Sequence, residues 1–442
     1  MSSRGLLKQF FRCVSLSVLG MLGLSCYILA DTCFVARRLG ADGLAALNLA
    51  IPVYSLIHGC GLMLGMGGST RCAILSGRRE AAGARRVFSH SLGLAALMAA
   101  VFVPAGLFFA EELAVLLGAG AGTFSMARTY LKVLLLFSPA FLLNDVLLCF
   151  VRADGGPGLA MAAMLSGSFL NILLDYLFLF PLGLGIFGAV FATGLSPVLS
   201  VLLLSLHWRK KTDGLRPAAS RPCGGTVLDI LSLGFPSLVA ELASGVVMVV
   251  FNRIILGLAG NPGVAAYGII ANLSLMAVAV FTGAAQGVQP LAGSAHGRKD
   301  TGASRRLLAW SLTALALLSG GIYAVLFCFA EQIVRWFNSE GLAALQNIAV
   351  PGLKIYFTAL PFAGFNLILS AFFTSAERPR PARAVALLRG AVLIIPAAFL
   401  LSSLAGITGV WISFPTAEAA SALCAALLWL KRPPKPALKH RI

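Results

Sequence analysis

The chain has 442 residues, of which 59% are hydrophobic and 11% charged, with a formal net charge of +18 and a mean hydropathy of +0.91. Soluble globular domains carry about 25% charged residues, so these figures exclude a soluble enzyme or a nucleic-acid binder and describe an all-α polytopic membrane protein. The charge is itself a membrane signal. Of the 34 Lys and Arg, all but Arg37, Arg38, Arg71, Arg128, Lys132, Arg253, Arg335 and Lys354 fall at the two termini or in alternate inter-helix segments, Arg152 among the latter. That alternation predicts an even number of spans with both termini cytoplasmic, in the cytoplasmic (inner) membrane, and the same basic segments suit contact with anionic lipid.

Arg4, Lys8 and Arg12 precede a long apolar run and read as a cytoplasmic flank entering the first helix, not as a cleaved leader. Apolar runs near the roughly 20 residues that a bilayer requires then predict twelve spans: 14–36, 46–70, 88–110, 129–151, 159–181, 186–207, 227–252, 264–290, 307–330, 350–374, 383–404 and 407–430. The longer outward loops, 111–128 and 331–348, suit short interfacial helices. The polar stretch 208–226, with Pro217, Pro222 and several basic residues, reads as a cytoplasmic linker. It divides an N-lobe (1–207) from a C-lobe (227–430), with a basic cytoplasmic tail over 431–442.

The two lobes match as a tandem repeat. At a shift of 220, Gly40, Gly43, Ala45 and Ala46 meet Gly260, Gly263, Ala265 and Ala266, and Gly77-Arg78-Arg79-Glu80 meets Gly297-Arg298-Lys299-Asp300. Arg85-Arg86 likewise meets Arg305-Arg306. At a shift of 221, Gly185-Ile186 meets Gly406-Ile407. Both halves start on the same side, so the repeats are parallel, related by an axis along the membrane normal. The nine Cys are scattered, with no CxxC and no Cys/His cluster, so neither a metal site of that kind nor a disulfide framework is expected.

Polar residues at membrane depth are few. They are Asp31 in span 1, Asn144 and Asp145 in span 4, Asn171 and Asp175 in span 5, Thr193 in span 6, Glu241 in span 7 and Glu418 in span 12. Asn171 and Asp175 are four apart and stack on one helical face, about 6 Å apart along the axis. A carboxylate at this depth costs roughly 2.5–3.5 kcal/mol on insertion scales. It is retained either for a structural hydrogen bond or because it faces a polar cavity. A cavity lined by carboxylates, with no Lys or Arg on the same stretches, attracts cations and exchanges protons. Glu418, beside Pro415, reads as structural. Phe is abundant and Trp scarce, a pattern of packing and lipid contact that marks no aromatic site.

Ala30-Asp31-Thr32-Cys33-Phe34-Val35, Leu39-Gly40-x-x-Gly43-x-Ala45-Ala46-x-Asn48-x-x-x-Pro52, Arg152-Ala153-Asp154-Gly155 through Asn171-x-x-x-Asp175 to Thr193, and Gln286-Gly287-x-Gln289-Pro290 followed by Gly297-Arg298 carry a further signal. In these motifs the sequence resembles the multidrug and toxic compound extrusion (MATE) family. The resemblance runs from about 30 to 425 in order. It implies twelve helices in two six-helix lobes forming a V-shaped cleft, and export of organic cations or amphipathic compounds against an H⁺ or Na⁺ gradient, with no other cofactor. It also implies that Asp31, Asn171, Asp175, Thr193 and Asn144 (or its neighbour Asp145) line an N-lobe cavity for the coupling cation. Na⁺ would sit at Asp31, Asn171 and Asp175, and Glu241 is the candidate for a C-lobe site. Span 10 has no acid, which argues against C-lobe Na⁺ coupling.

The rival within the same superfamily is a lipid-linked precursor flippase. It would want basic residues in the cavity to meet pyrophosphate, and Arg71 and Arg253 are the candidates, both near span ends. An intramembrane enzyme finds no support, since neither HExxH nor Gly-x-Ser-x-Gly occurs. The expected partners are small cationic or amphipathic molecules and membrane lipid, not nucleic acid, and nothing demands more than a monomer.

Overall fold

A computed structural model describes residues 3–210, 215–216, 223–338 and 342–431. Most of the expected 208–226 linker and 431–442 tail lie outside the described residues. Among those described there is no strand. The first half is built of α1 (Ser3–Gly77), α2 (Ala81–Phe108), α3 (Ala110–Leu116), α4 (Phe124–Leu136), α5 (Ser138–Ala153), α6 (Pro157–Leu179) and α7 (Gly185–Lys210). The second half comprises α8 (Gly224–Gly297), α9 (Thr301–Cys328), α10 (Ala330–Phe337), α11 (Ala343–Tyr356), α12 (Leu360–Ser375), α13 (Pro379–Leu387) and α14 (Ile394–Leu430).

Helices α1 and α8 have 75 and 74 residues. At 1.5 Å per residue each would run about 110 Å, several times the roughly 30 Å hydrocarbon core. Both reverse at one glycine, Gly40 (φ 66°, ψ −154°) and Gly260 (φ 60°, ψ −156°), in a region of backbone space that a Cβ disfavours. The halves then lie side by side: the Tyr27 and Tyr54 hydroxyls are 3.2 Å apart, and the Phe251 and Tyr267 rings 5.4 Å. Helix α14 breaks in the same way at Gly406 (φ 57°). With these three reversals, and with α4–α5 crossing as one span bent by 49°, the described residues make twelve crossings. An even number puts Ser3 and Leu430 on the same face, called here the terminal side.

The internal repeat is visible in the backbone. Gly40 and Gly260 are 220 positions apart, as are the left-handed turn residues Arg79 (φ 65°) and Lys299 (φ 58°). Helices α2 and α9 also start 220 apart and are 28 residues long. The short α3 and α10 fall in the two loops expected to carry interfacial helices. Each lobe has its own core, one around Leu64, Leu131, Phe150 and Val190, the other around Phe251, Phe281, Leu353 and Trp411. Exposed side chains such as Phe108, Leu317 and Leu404 are suited to lipid.

The lobes meet through their halves nearest the terminal side, and glycines make the contact possible. A Cβ on Gly234 would lie 1.8 Å from the Met63 carbonyl oxygen, and one on Gly67 would lie 2.0 Å from that of Ile230. The opening turns of α1 cross over to the second lobe, packing Leu6, Phe10 and Val14 on Ala284, Val288 and Phe372. Gln289 bridges the lobes, donating through Nε2 to Thr70 Oγ1 (2.6 Å) and Thr374 Oγ1 (3.1 Å).

Outside these packed helices a charged cluster completes the seal. Glu377, in the turn before α13, takes ion pairs from Arg71 and Arg78 of the other lobe. Arg71 also pairs with Asp229 at 3.2 Å. Burial works to raise the Glu377 carboxyl, but the His296 hydrogen bond and the Arg71 and Arg78 charges outweigh it and hold the group at about 2.

Candidate functional site

Two linked regions bring together most of the polar residues at membrane depth. The first lies inside the first lobe. Asp31 projects from the first arm of α1, and Asn171 and Asp175 from one face of α6. Asn171 and Asp175 have no solvent exposure, and Asp31 has 7%. The Asp31 and Asp175 carboxyls approach closely enough to share a hydrogen bond. With the Asn171 amide oriented to satisfy its neighbours, its nitrogen donates to Asp175 Oδ2 (3.0 Å) and its oxygen accepts from the Thr193 backbone N–H (3.3 Å). The Thr193 hydroxyl is committed to the Ala189 carbonyl at 3.1 Å. Oδ1 of each aspartate is buried with no protein partner. Two carboxyls in contact in a dry site cannot both hold a negative charge without a cation between them. The pair can therefore hold a proton or a small cation, and every available donor is a hard oxygen. Tyr130, not singled out in the sequence, lies beside both acids and reaches Thr193.

The second region is the open cavity between the lobes. Thr193 lies in its wall, joining it to the first region, together with Tyr27, Tyr54, Asn144, Asp145 and, from the opposite lobe, Glu241. Asn144 makes no hydrogen bond to Asp31 or Asp175, and its Oδ1 is buried without a partner. Asp145 is paired with His58 Nδ1 at 2.9 Å, a partner that the sequence reading missed. The two are 87 positions apart, and only the return of α1 past Gly40 brings His58 to α5.

Arg152 corrects a further expectation. The sequence places it in an inter-helix segment and puts no Lys or Arg on the helical stretches that carry the buried acids. Helix α5 instead continues to Ala153, and Arg152 is 5% exposed in the cavity wall. Of the two basic residues considered for a cavity, Arg71 belongs to the seal on the terminal side, and neither it nor Arg253 lines this space.

In the second lobe the buried acid is Glu418 of α14. It accepts from Asn366 Nδ2 (2.7 Å) and from Arg389 (2.8 and 3.1 Å). Arg389 sits in a π-helical turn, Leu388–Val392, between α13 and α14, a local widening that directs its side chain onto Glu418.

The pattern of the MatE family matches residues 17–177 and 236–400. The multidrug export protein MepA of Staphylococcus saprophyticus is 28% identical over 387 residues, covering 87% of this chain and 85% of that protein. MepA of Staphylococcus aureus is 27% identical over the same shares. A solved structure described as the outward-facing conformation of a multidrug resistance MATE family transporter of the MOP superfamily superposes with a TM-score of 0.90. It is 26% identical, with 95% of this chain and 94% of that chain covered.

Proposed function

The chain belongs to the MATE family, and from that premise we propose that it is a secondary active exporter of cationic and amphipathic organic compounds, driven by H⁺ or Na⁺ entering through the first lobe. The observation that carries this reading is the buried Asp31–Asp175 pair, held against Asn171 and joined through Thr193 to the cavity between the lobes. The Asn171 amide suits either ion: its nitrogen donates to an ionised Asp175, and turned the other way its oxygen accepts from a protonated carboxyl or ligates Na⁺. The second lobe gives the reading indirect support. Its buried acid, Glu418, already has a permanent cation in Arg389, so it has no need of an imported one.

The closed terminal side, with the cavity beyond it, supports reading this as an outward-facing state, the conformation named for the solved relative. By the charge distribution of the loops the terminal side is the cytoplasm of a bacterial inner membrane. Alternating access then requires the glycine contacts and the Glu377 cluster to part while the far side closes. Cation binding favours whichever state binds the cation more tightly, and it shifts the balance only by that difference. The flippase reading is less well supported, because the cavity carries one arginine beside Asp145 and Glu241 and so offers a pyrophosphate little net positive charge.

The test is transport of a fluorescent organic cation by the purified full chain in proteoliposomes, under an imposed pH gradient or an imposed Na⁺ gradient. Gradient-driven transport is expected, and the active gradient names the ion. Failure under both gradients, with a lipid-linked precursor translocated instead, would replace export with the flippase reading.

A further inference from the structure

Helix α5 places its charges in an order that cation export does not require. Asp145 lies mid-helix against His58. Arg152 follows seven residues later, two turns nearer the terminal side on the same face. Its guanidinium is buried at the floor of the cavity, donating to Gln286 Oε1 at 2.8 Å and touching Met164 Sδ at 3.7 Å. Among the described residues no carboxylate lies within ion-pair distance of it, whereas the other deeply placed arginines have theirs: Arg389 has Glu418, and Arg71 has Glu377 and Asp229.

The fold does not require this cation. The equivalent turn of the second lobe also has a residue of positive φ (Glu377, matching Gly155), followed by a proline that opens the next helix (Pro379, matching Pro157). There the position matching Arg152, three residues before the positive φ, holds Thr374. A buried guanidinium without a counter-charge is costly, and its planar fork of five donors, of which one serves Gln286, is shaped for a carboxylate.

We propose that Arg152 is an anion subsite at the floor of the cavity, taking the carboxylate of a zwitterionic amphiphile. The substrate's ammonium group faces the level of Asp145 and Glu241 in the cavity wall, where His58 pairs with Asp145 alone. Seven helical residues separate the two levels by about 10 Å, so the preferred substrate carries its opposite charges about that far apart on an apolar frame. This specificity rests on the export reading and narrows it from cations in general to zwitterions.

The test compares two rhodamine dyes, one with a free carboxylate and the other its methyl ester, transported by the full-length chain in proteoliposomes. Wild type, Arg152→Gln and Arg152→Lys are measured. The quantity read is the ratio of carboxylate to ester transport. The loss of one charge-assisted contact lowers that ratio about tenfold or more in Arg152→Gln, and Arg152→Lys restores a substantial part of it. Equal loss of both dyes would show that Arg152 serves only the contact to Gln286 between the lobes, and would overturn the proposal. Wild type moving the ester but not the carboxylate would overturn it and leave export standing. If wild type moves neither dye, export itself fails. Binding to wild type in detergent adds an arm that does not depend on the variant folding: the carboxylate dye is expected to bind at least as tightly as the ester. Binding about tenfold weaker would contradict the subsite.

Discussion

Asp31 and Asp175 hold the strongest residue-scale claim, because their meeting makes a single replacement informative. Asp31→Asn and Asp175→Asn each remove one carboxyl while keeping its shape. Each is expected to lower gradient-driven transport at least about a hundredfold, the scale set by losing a positioned proton acceptor. Initial rates in proteoliposomes check this. The Arg389–Glu418 pair makes the opposite kind of prediction. Arg389→Met leaves a 2% exposed carboxylate without its cation and should cost about 3–5 kcal/mol, most of which Arg389→Met with Glu418→Leu should recover. Thermal unfolding in detergent reads both variants. The pairing of Asn171 with Asp175 was legible in the sequence, because a four-residue spacing on a helix is a contact. Two other features were not: the partnership of His58 with Asp145, which depends on which helices pack together, and the guanidinium of Arg152 in the cavity, which depends on α5 running two residues beyond the apolar stretch that marked its end. The meeting of Asp31 with Asp175 was implied by the family resemblance, not by spacing along the chain.

Among the elements, the two lobes meet where glycines on α1 and α8 leave no space for a side chain. Gly67→Leu would force the Ile230 carbonyl away. It should disfavour the sealed terminal side, raising the reactivity of cysteines introduced along that interface toward a membrane-impermeant thiol reagent added from the terminal side. The Glu377 turn belongs to the same seal. Its carboxyl is depressed from an ordinary 4.5 to about 2. A depressed carboxyl contributes stability that is fully present above 4.5 and is lost as pH falls through 2. The ionic seal therefore stays intact across the neutral range, and any pH dependence of transport between about 5 and 8 belongs to other groups. Glu377→Gln should raise thiol reactivity from the terminal side at every pH in that range, whereas an effect confined to one pH would contradict this assignment. The repeat was legible at this scale because it is written in glycines and turn charges. Gly40 and Gly260 recur 220 positions apart in sequence and adopt the same backbone angles in the structure. The π-helical turn that carries Arg389 left no such mark, since a lone Gly390 inside an apolar span does not by itself signal a wider turn.

For the whole molecule, two lobes sealed on the terminal side hold a cavity between them, and a carboxyl pair in the first lobe is joined to it through Thr193. The second lobe keeps the same plan but carries its own cation. That asymmetry is the ground for proposing that coupling lies in the first lobe while the second moves against it. The most direct test is proton release when substrate binds. An organic cation is added to the purified chain in weakly buffered detergent solution, with a pH-indicator dye to count protons, for wild type, Asp31→Asn and Asp175→Asn. Wild type is expected to release about one proton per substrate bound, as required when binding of one cation disfavours the other, and both variants are expected to release none. Substrate binding to wild type with neither proton release nor any weakening by Na⁺ would contradict coupling at the Asp31–Asp175 pair.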